Sequence, residues 1–116
     1  MTLCLVTGAT GYVGGRLIPE LLAAGFTVRV LARSPEKLRD IPWSSQVEIV
    51  VGDASDAMAV GRALAGVDVA YYLLHSLQQG PDLEAAEIAM ARTFAAGAAE
   101  QSVGRIIYLG GLAPEL

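Results

Sequence analysis

Apolar and polar positions follow two rhythms along the chain, and each change of rhythm marks an element. Leu3-Cys4-Leu5-Val6 is a short unbroken apolar run that ends at a glycine-rich turn. The stretch after it, Tyr12 to Ala24, carries Val13, Leu17, Leu21 and Leu22 at helical spacing, so a strand, a turn and a helix follow one another. Gly25 closes that helix, and Pro19, which has no N–H to donate, is expected to kink it. Thr27 to Ala32 reads as a second strand. Arg33 to Asp40 is charged and reads as a short helix, with Ser34 and Pro35 as cap and first turn, before a loop through Pro42 and Trp43.

The alternation then repeats. Val47 to Val51 is a third strand closed by Gly52-Asp53, and Ala57 to Leu64 is a helix ending near Gly66. Val67 to Leu74 is a fourth strand. Asp82 is the expected N-cap of a long alanine-rich helix that runs to Gln101, and Arg105 to Leu109 is strand five. Strands alternating with helices predict a parallel sheet with right-handed crossovers and helices on both faces. The expected architecture is an α/β three-layer sandwich of the Rossmann type, strand order 3-2-1-4-5.

Composition narrows the function classes. A chain of 116 residues makes a single domain. It is 53% hydrophobic and 17% charged, an apolar excess with two sources: strands buried on both faces, and a surface meant for cover by further polypeptide. Asp, Glu, Arg or His interrupts every apolar stretch before it reaches the roughly 20 residues of a membrane span. No basic residues precede the apolar run at Leu3 and no cleavage pattern follows it, so a cytoplasmic location is expected. The net charge of −4, with no block of Lys or Arg, argues against nucleic acid as partner. Cys4 is the sole cysteine, which excludes an internal disulfide or CxxC site and leaves it as a small core residue.

The chemistry gathers at Thr7-Gly8-Ala9-Thr10-Gly11-Tyr12-Val13-Gly14, with glycines three apart between a strand and a helix. Gly8 allows a tight exit from the strand, Gly11 lets backbone approach a pyrophosphate, and Gly14 lets the helix pack closely on the sheet. The helix N-terminus offers free N–H groups and partial positive charge to phosphates. A second group stands at the end of strand two, where an NAD-selective site places Asp or Glu on the ribose 2′-hydroxyl. Here Arg33-Ser34 stands instead. A guanidinium and a hydroxyl suit a 2′-phosphate, so NADP(H) is preferred, with NAD(H) as the alternative. The competing reading makes Arg33, Lys37 and Arg39 a solvated helix face. Asp53, after strand three, can accept from an adenine amino group or simply shape its turn. Leu74-His75-Ser76 falls at the carboxyl edge of the sheet near its switch point, where His75 faces a nicotinamide ribose or substrate, or is a plain strand-end polar residue.

These residues carry a resemblance. TGATGYVGGRL, VLARSPEKL, VVGDASD, VDVAYYLLHS and RIIYLGGL are similar to the atypical and extended short-chain dehydrogenase/reductase superfamily, in its NmrA-like and nucleoside-diphosphate-sugar-epimerase-like branches. The resemblance implies that Gly8, Thr10, Gly11, Tyr12, Val13 and Gly14 contact the pyrophosphate. It likewise assigns Arg33 and Ser34 to the 2′-phosphate, Asp53 and Ala54 to the adenine, and Leu74 and His75 to the nicotinamide side.

One departure bears on catalysis. Members that transfer hydride use a Tyr-x-x-x-Lys pair, in which the ammonium lowers the tyrosine pKa. The sole lysine here is Lys37, and Arg16, His75, Ser76 and Leu112 stand four residues beyond the tyrosines. Gly110-Gly111 occupies the place of the catalytic Ser or Thr. The chain is therefore expected to be the cofactor part of a longer oxidoreductase or epimerase, or else a non-catalytic NADP(H)-sensing module. Strand five is an expected apolar edge, and homodimerisation through it or another apolar surface is the expected mode of self-association.

Overall fold

In the computed structural model, which describes residues 2–9, 11–73 and 83–108, the chain runs β1 (Leu3–Thr7), α1 (Tyr12–Ala23), β2 (Thr27–Ala32), β3 (Glu48–Val51), α2 (Ala57–Leu64), β4 (Val69–Tyr72), α3 (Leu83–Glu100) and β5 (Arg105–Tyr108). All strand pairs are parallel, in the order β3-β2-β1-β4-β5. The expected Rossmann-type sheet is what forms.

Successive side chains of a strand face opposite ways, so each strand feeds two cores. Cys4, Val6, Val28 and Val30 pack with Ile18 and Leu21 of α1 and with Leu38 and Trp43. Leu5, Leu31, Ala70 and Tyr72 pack on the other face with Val60 and Leu64 of α2 and Phe94 and Ala98 of α3. Two-sided burial accounts for much of the apolar composition, since each fully buried aliphatic side chain contributes about 1.5–3 kcal/mol. Cys4 is buried as expected, and burial, then the Asp68 carboxylate, pushes its thiol pKa up. The Tyr72 ring meets Phe94 edge-on at 4.9 Å and stacks on Tyr108 at 5.4 Å, which fastens β5 to its neighbour. Strand β5 is otherwise exposed along its whole length, as an apolar edge.

Local differences from expectation have local causes. Pro19 does not interrupt α1; it stands on the exposed face, where water can serve the carbonyl that loses its helical donor. Gly25, at φ +92°, ends the helix: its N–H donates to the Leu22 carbonyl, and that of Phe26 to Leu21, a Schellman closure. The short helix expected over 33–40 is a 3-10 turn at Pro35–Leu38, and the loop after it holds a second at Pro42–Gln46. Leu38 and Trp43 are buried at close intervals, and tight i to i+3 bonds such as Ser44 N–H to Ile41 C=O deliver both to one core. Strand β4 is shorter than expected at its start, because the Val67 N–H is taken by the Leu64 carbonyl. Leu74, Asp82 and Leu109, the expected ends of three elements, lie outside the described residues.

Two polar side chains brace the interior. Arg29 of β2 donates to Glu48 of β3 at 2.9 Å and to the Ala63 and Ala65 carbonyls at 2.7 Å, so a cation sits on the negative C-terminus of α2. Thr7, fully buried, donates from Oγ1 to the Tyr71 carbonyl at 2.8 Å and accepts from the Leu73 N–H at 3.2 Å. Thr7→Val keeps the shape and removes both bonds to the part-buried Tyr71 carbonyl and Leu73 N–H. A loss of about 1–3 kcal/mol in urea unfolding is expected, and unchanged stability would remove Thr7 as a brace.

Candidate functional site

The chain leaves β1 through α1 toward β2 and later returns to β4 on the other side of β1. That reversal opens a crevice beyond the carboxyl ends of β1 and β4. Gly8 lines its floor at φ +77°, and a Cβ there would stand 2.8 Å from the Leu73 carbonyl oxygen. The strand exit is thus reserved for glycine on two counts, backbone conformation and space. The Gly11 N–H donates to the Gly8 carbonyl at 3.0 Å and closes the turn.

Gly11 is then the N-cap of α1, with extended backbone at φ −78° and ψ 170° and no side chain to cap the helix. The first turn of α1 contains no acidic residue, so its orphan N–H groups and partial positive charge are left unneutralised from within the turn. Tyr12 is 76% exposed and Val13 43% exposed, and the Arg16 guanidinium lies 4.7 Å over the Tyr12 ring. A Cβ on Gly11 would meet the Gly8 carbonyl at 3.2 Å and nothing else within contact range among the described residues. Among the described residues the corner is open, as a phosphate seat requires. Gly14 does a different task from the expected one: a Cβ there would run into the Gly8 carbonyl and crowd Ala9, so it fits the helix to the turn rather than to the sheet. Thr10, Leu74 and His75 lie outside the described residues.

Register brings the second group together. Ala32 pairs with Val51 across β2 and β3, and the Gly52 N–H donates to the Ala32 carbonyl at 3.0 Å. Arg33 and Asp53, each just beyond, are therefore neighbours, with Arg33 Nη1 3.7 Å from Asp53 Oδ2. The end of β2 carries no carboxylate, but β3 supplies one from beside it. Ser34 follows at the cap of the 3-10 turn with no side-chain capping bond, and Ala54 follows Asp53, half-buried.

Ser55, which the sequence reading passed over, fixes the Asp53 side chain. Its N–H and its hydroxyl both donate to Oδ1, at 2.9 and 2.8 Å, leaving Oδ2 to face Arg33. The Ser55 N–H, then the Ser55 hydroxyl, lower the Asp53 pKa; Arg33 acts in the same direction, and partial burial opposes them. The signal was available in Asp53-Ala54-Ser55, the spacing at which an Asp side chain closes a turn on the N–H two residues on. Thr7 was also legible, as a hydroxyl ending an apolar strand.

A parallel sheet of this order, with a glycine corner open at its switch point, defines a Rossmann-type nucleotide-binding domain. Residues 8–114 match the NAD(P)H-binding family, and the chain belongs to it. It is 41% identical over 87 residues to a (4-alkanoyl-5-oxo-2,5-dihydrofuran-3-yl)methyl phosphate reductase of Streptomyces griseus subsp. griseus, covering 75% of this chain and 30% of that protein. It is 35% identical over 86 residues to the ketoreductase sphI of Aspergillus fumigatus, covering 71% and 26% respectively. The chain thus spans less than a third of the length of these curated relatives. A short-chain dehydrogenase/reductase superfamily protein from Agrobacterium tumefaciens, solved with bound NAD, superposes with a TM-score of 0.74 at 27% identity, over 91% of this chain and 31% of that one. A nucleoside-diphosphate-sugar epimerase from Pseudomonas aeruginosa shares the fold, with a TM-score of 0.77 at 24% identity over 94% and 33%. The resemblance to this superfamily is borne out. Among the described residues, no helix is long and apolar enough to cross a membrane.

Two outcomes are expected of the site's own framework. Gly14→Ala gains about 1 kcal/mol of helix propensity but forces backbone apart, for a net loss of about 1–2 kcal/mol in denaturant unfolding; a stabilised variant would contradict the close approach. Asp53 titrates lower folded than unfolded, so its stabilisation is complete above about pH 4 and is lost as pH falls through the folded value. Acid titration of the wild type should show that loss and Asp53→Asn should not; superimposable acid limbs would deny the folded-state interaction.

Proposed function

We propose that the chain is the NADP(H)-binding domain of a short-chain dehydrogenase/reductase-like reductase. The observation that carries this reading is the open, acid-free N-terminus of α1 behind Gly8 and Gly11, at the switch point of the sheet. In it the Gly11, Tyr12, Val13 and Gly14 backbone, with Gly8 and Thr10, holds the pyrophosphate. Arg33 and Ser34 bind the 2′-phosphate, Asp53 and Ala54 face the adenine, and Leu74 and His75 border the nicotinamide. Curated relatives that are reductases by name support the reductase part.

Bound NADPH supplies hydride, and the residues of this chain hold and orient it. No tyrosine here has a lysine four positions on, so in this reading the proton-transfer pair comes from polypeptide outside these residues. That same lack supports a second reading, a non-catalytic NADP(H)-sensing module. NADPH oxidation coupled to a carbonyl substrate by the whole protein would sink the second reading.

Calorimetry with NADPH and NADH tests the binding claim. Gly11→Val sets methyls against the pyrophosphate position and should abolish binding of both while circular dichroism stays native. Arg33→Ala should weaken NADPH by about 1.5 kcal/mol, the lower end for a bond to a charged group because Arg33 is largely exposed, and leave NADH nearly unchanged. Equal losses for the two dinucleotides would refute the 2′-phosphate role.

A further inference from the structure

We propose that Asp53 is a specificity-determining residue that holds down the preference for a 2′-phosphate by competing with it for Arg33. This rests on the dinucleotide reading of the site and adds the regulation of cofactor choice within it. The argument begins with the strand register. With Ala32 opposite Val51, Arg33, one residue past β2, and Asp53, two residues past β3, share one rim of the sheet. The end of the second strand, where an NAD-selective domain carries its acid, here carries Arg33, and the third strand brings the Asp53 carboxylate to 3.7 Å from it.

The carboxylate is not free to turn away. Oδ1 is held by two donors from Ser55, and the Asp56 N–H donates to the Asp53 carbonyl at 2.9 Å, so side chain and backbone are both pinned. Oδ2 stays 3.7 Å from the Arg33 guanidinium. A 2′-phosphate approaching Arg33 therefore meets a resident counter-ion, gives up part of the attraction to it, and is repelled by it. A 2′-hydroxyl meets no such penalty, and a carboxylate accepts its hydrogen bond. Both effects move the balance toward the unphosphorylated dinucleotide. The pair is exposed, with side chains 61% and 45% accessible, so the effect is modest and sensitive to salt.

The test is the ratio of NADH to NADPH dissociation constants, measured by calorimetry on the wild type and on Asp53→Asn, which keeps the Oδ1 acceptor for Ser55. Adenine and pyrophosphate are common to both ligands, so any lost adenine contact cancels in the ratio. The ratio is expected to shift toward NADPH by about two- to fivefold, the span of an exposed charge pair. That shift should shrink at about 1 M salt, where screening acts within roughly 3 Å. Asp53→Ser removes the same charge and replaces the Asn variant if that one does not fold. An unchanged ratio, a shift toward NADH, or a shift indifferent to salt would overturn the proposal while leaving the dinucleotide reading intact. Failure of the wild type to bind either dinucleotide would instead bring down the reading beneath it.

Discussion

The close approach of α1 to the exit of β1 is the constraint from which the rest of the site follows. Gly8 turns the chain with positive φ beneath the Leu73 carbonyl, and Gly14 brings the first helical turn onto the Gly8 carbonyl with no room for a methyl. These contacts fix the helix axis, and the axis decides where its uncapped amides point. Had either position carried a side chain, the helix would have to lift, and the N–H groups would no longer converge at the switch point. Thr7 serves the same geometry from below, because its hydroxyl ties the end of β1 to the Tyr71 carbonyl and the Leu73 N–H.

Much of this was legible in the residues. The apolar runs at Leu3, Thr27 and Val47 and the helical periodicity after Tyr12 place strands and helices because burial on two faces leaves few other solutions. What eluded pattern reading was set by tertiary contact. The segment after Arg33 looks helical by charge and cap, yet the need to bury Leu38 and Trp43 together tightens it into 3-10 turns. Gly14 was assigned to the sheet because its partner, the Gly8 carbonyl, is a backbone atom that no sequence pattern displays. The Arg33–Asp53 pair depends on the register between β2 and β3, which periodicity does not reveal.

The site is therefore assembled from the carboxyl ends of different strands, each contributing one kind of chemistry. From β1 comes a corner of bare backbone, from β2 a cation, and from β3 a fixed carboxylate. Membership of the NAD(P)H-binding family accounts for the first, which is common to any dinucleotide. The other two stand side by side with opposite charge, 3.7 Å apart. Among solved relatives in this fold is one that holds NAD, so the scaffold itself does not demand the extra phosphate.

Arg29 has a reach beyond its own bonds. By gripping Glu48 and the carbonyls that end α2, it welds the second and third strands and the helix behind them into one stiff wedge. The parallel ladder runs from there to the opposite rim, where the pairing of Ala32 with Val51 sets the spacing of the two backbones. At that rim the exposed Arg33 side chain is the part that can still turn, a motion of picoseconds to nanoseconds, while the backbones on either side of it hold their register.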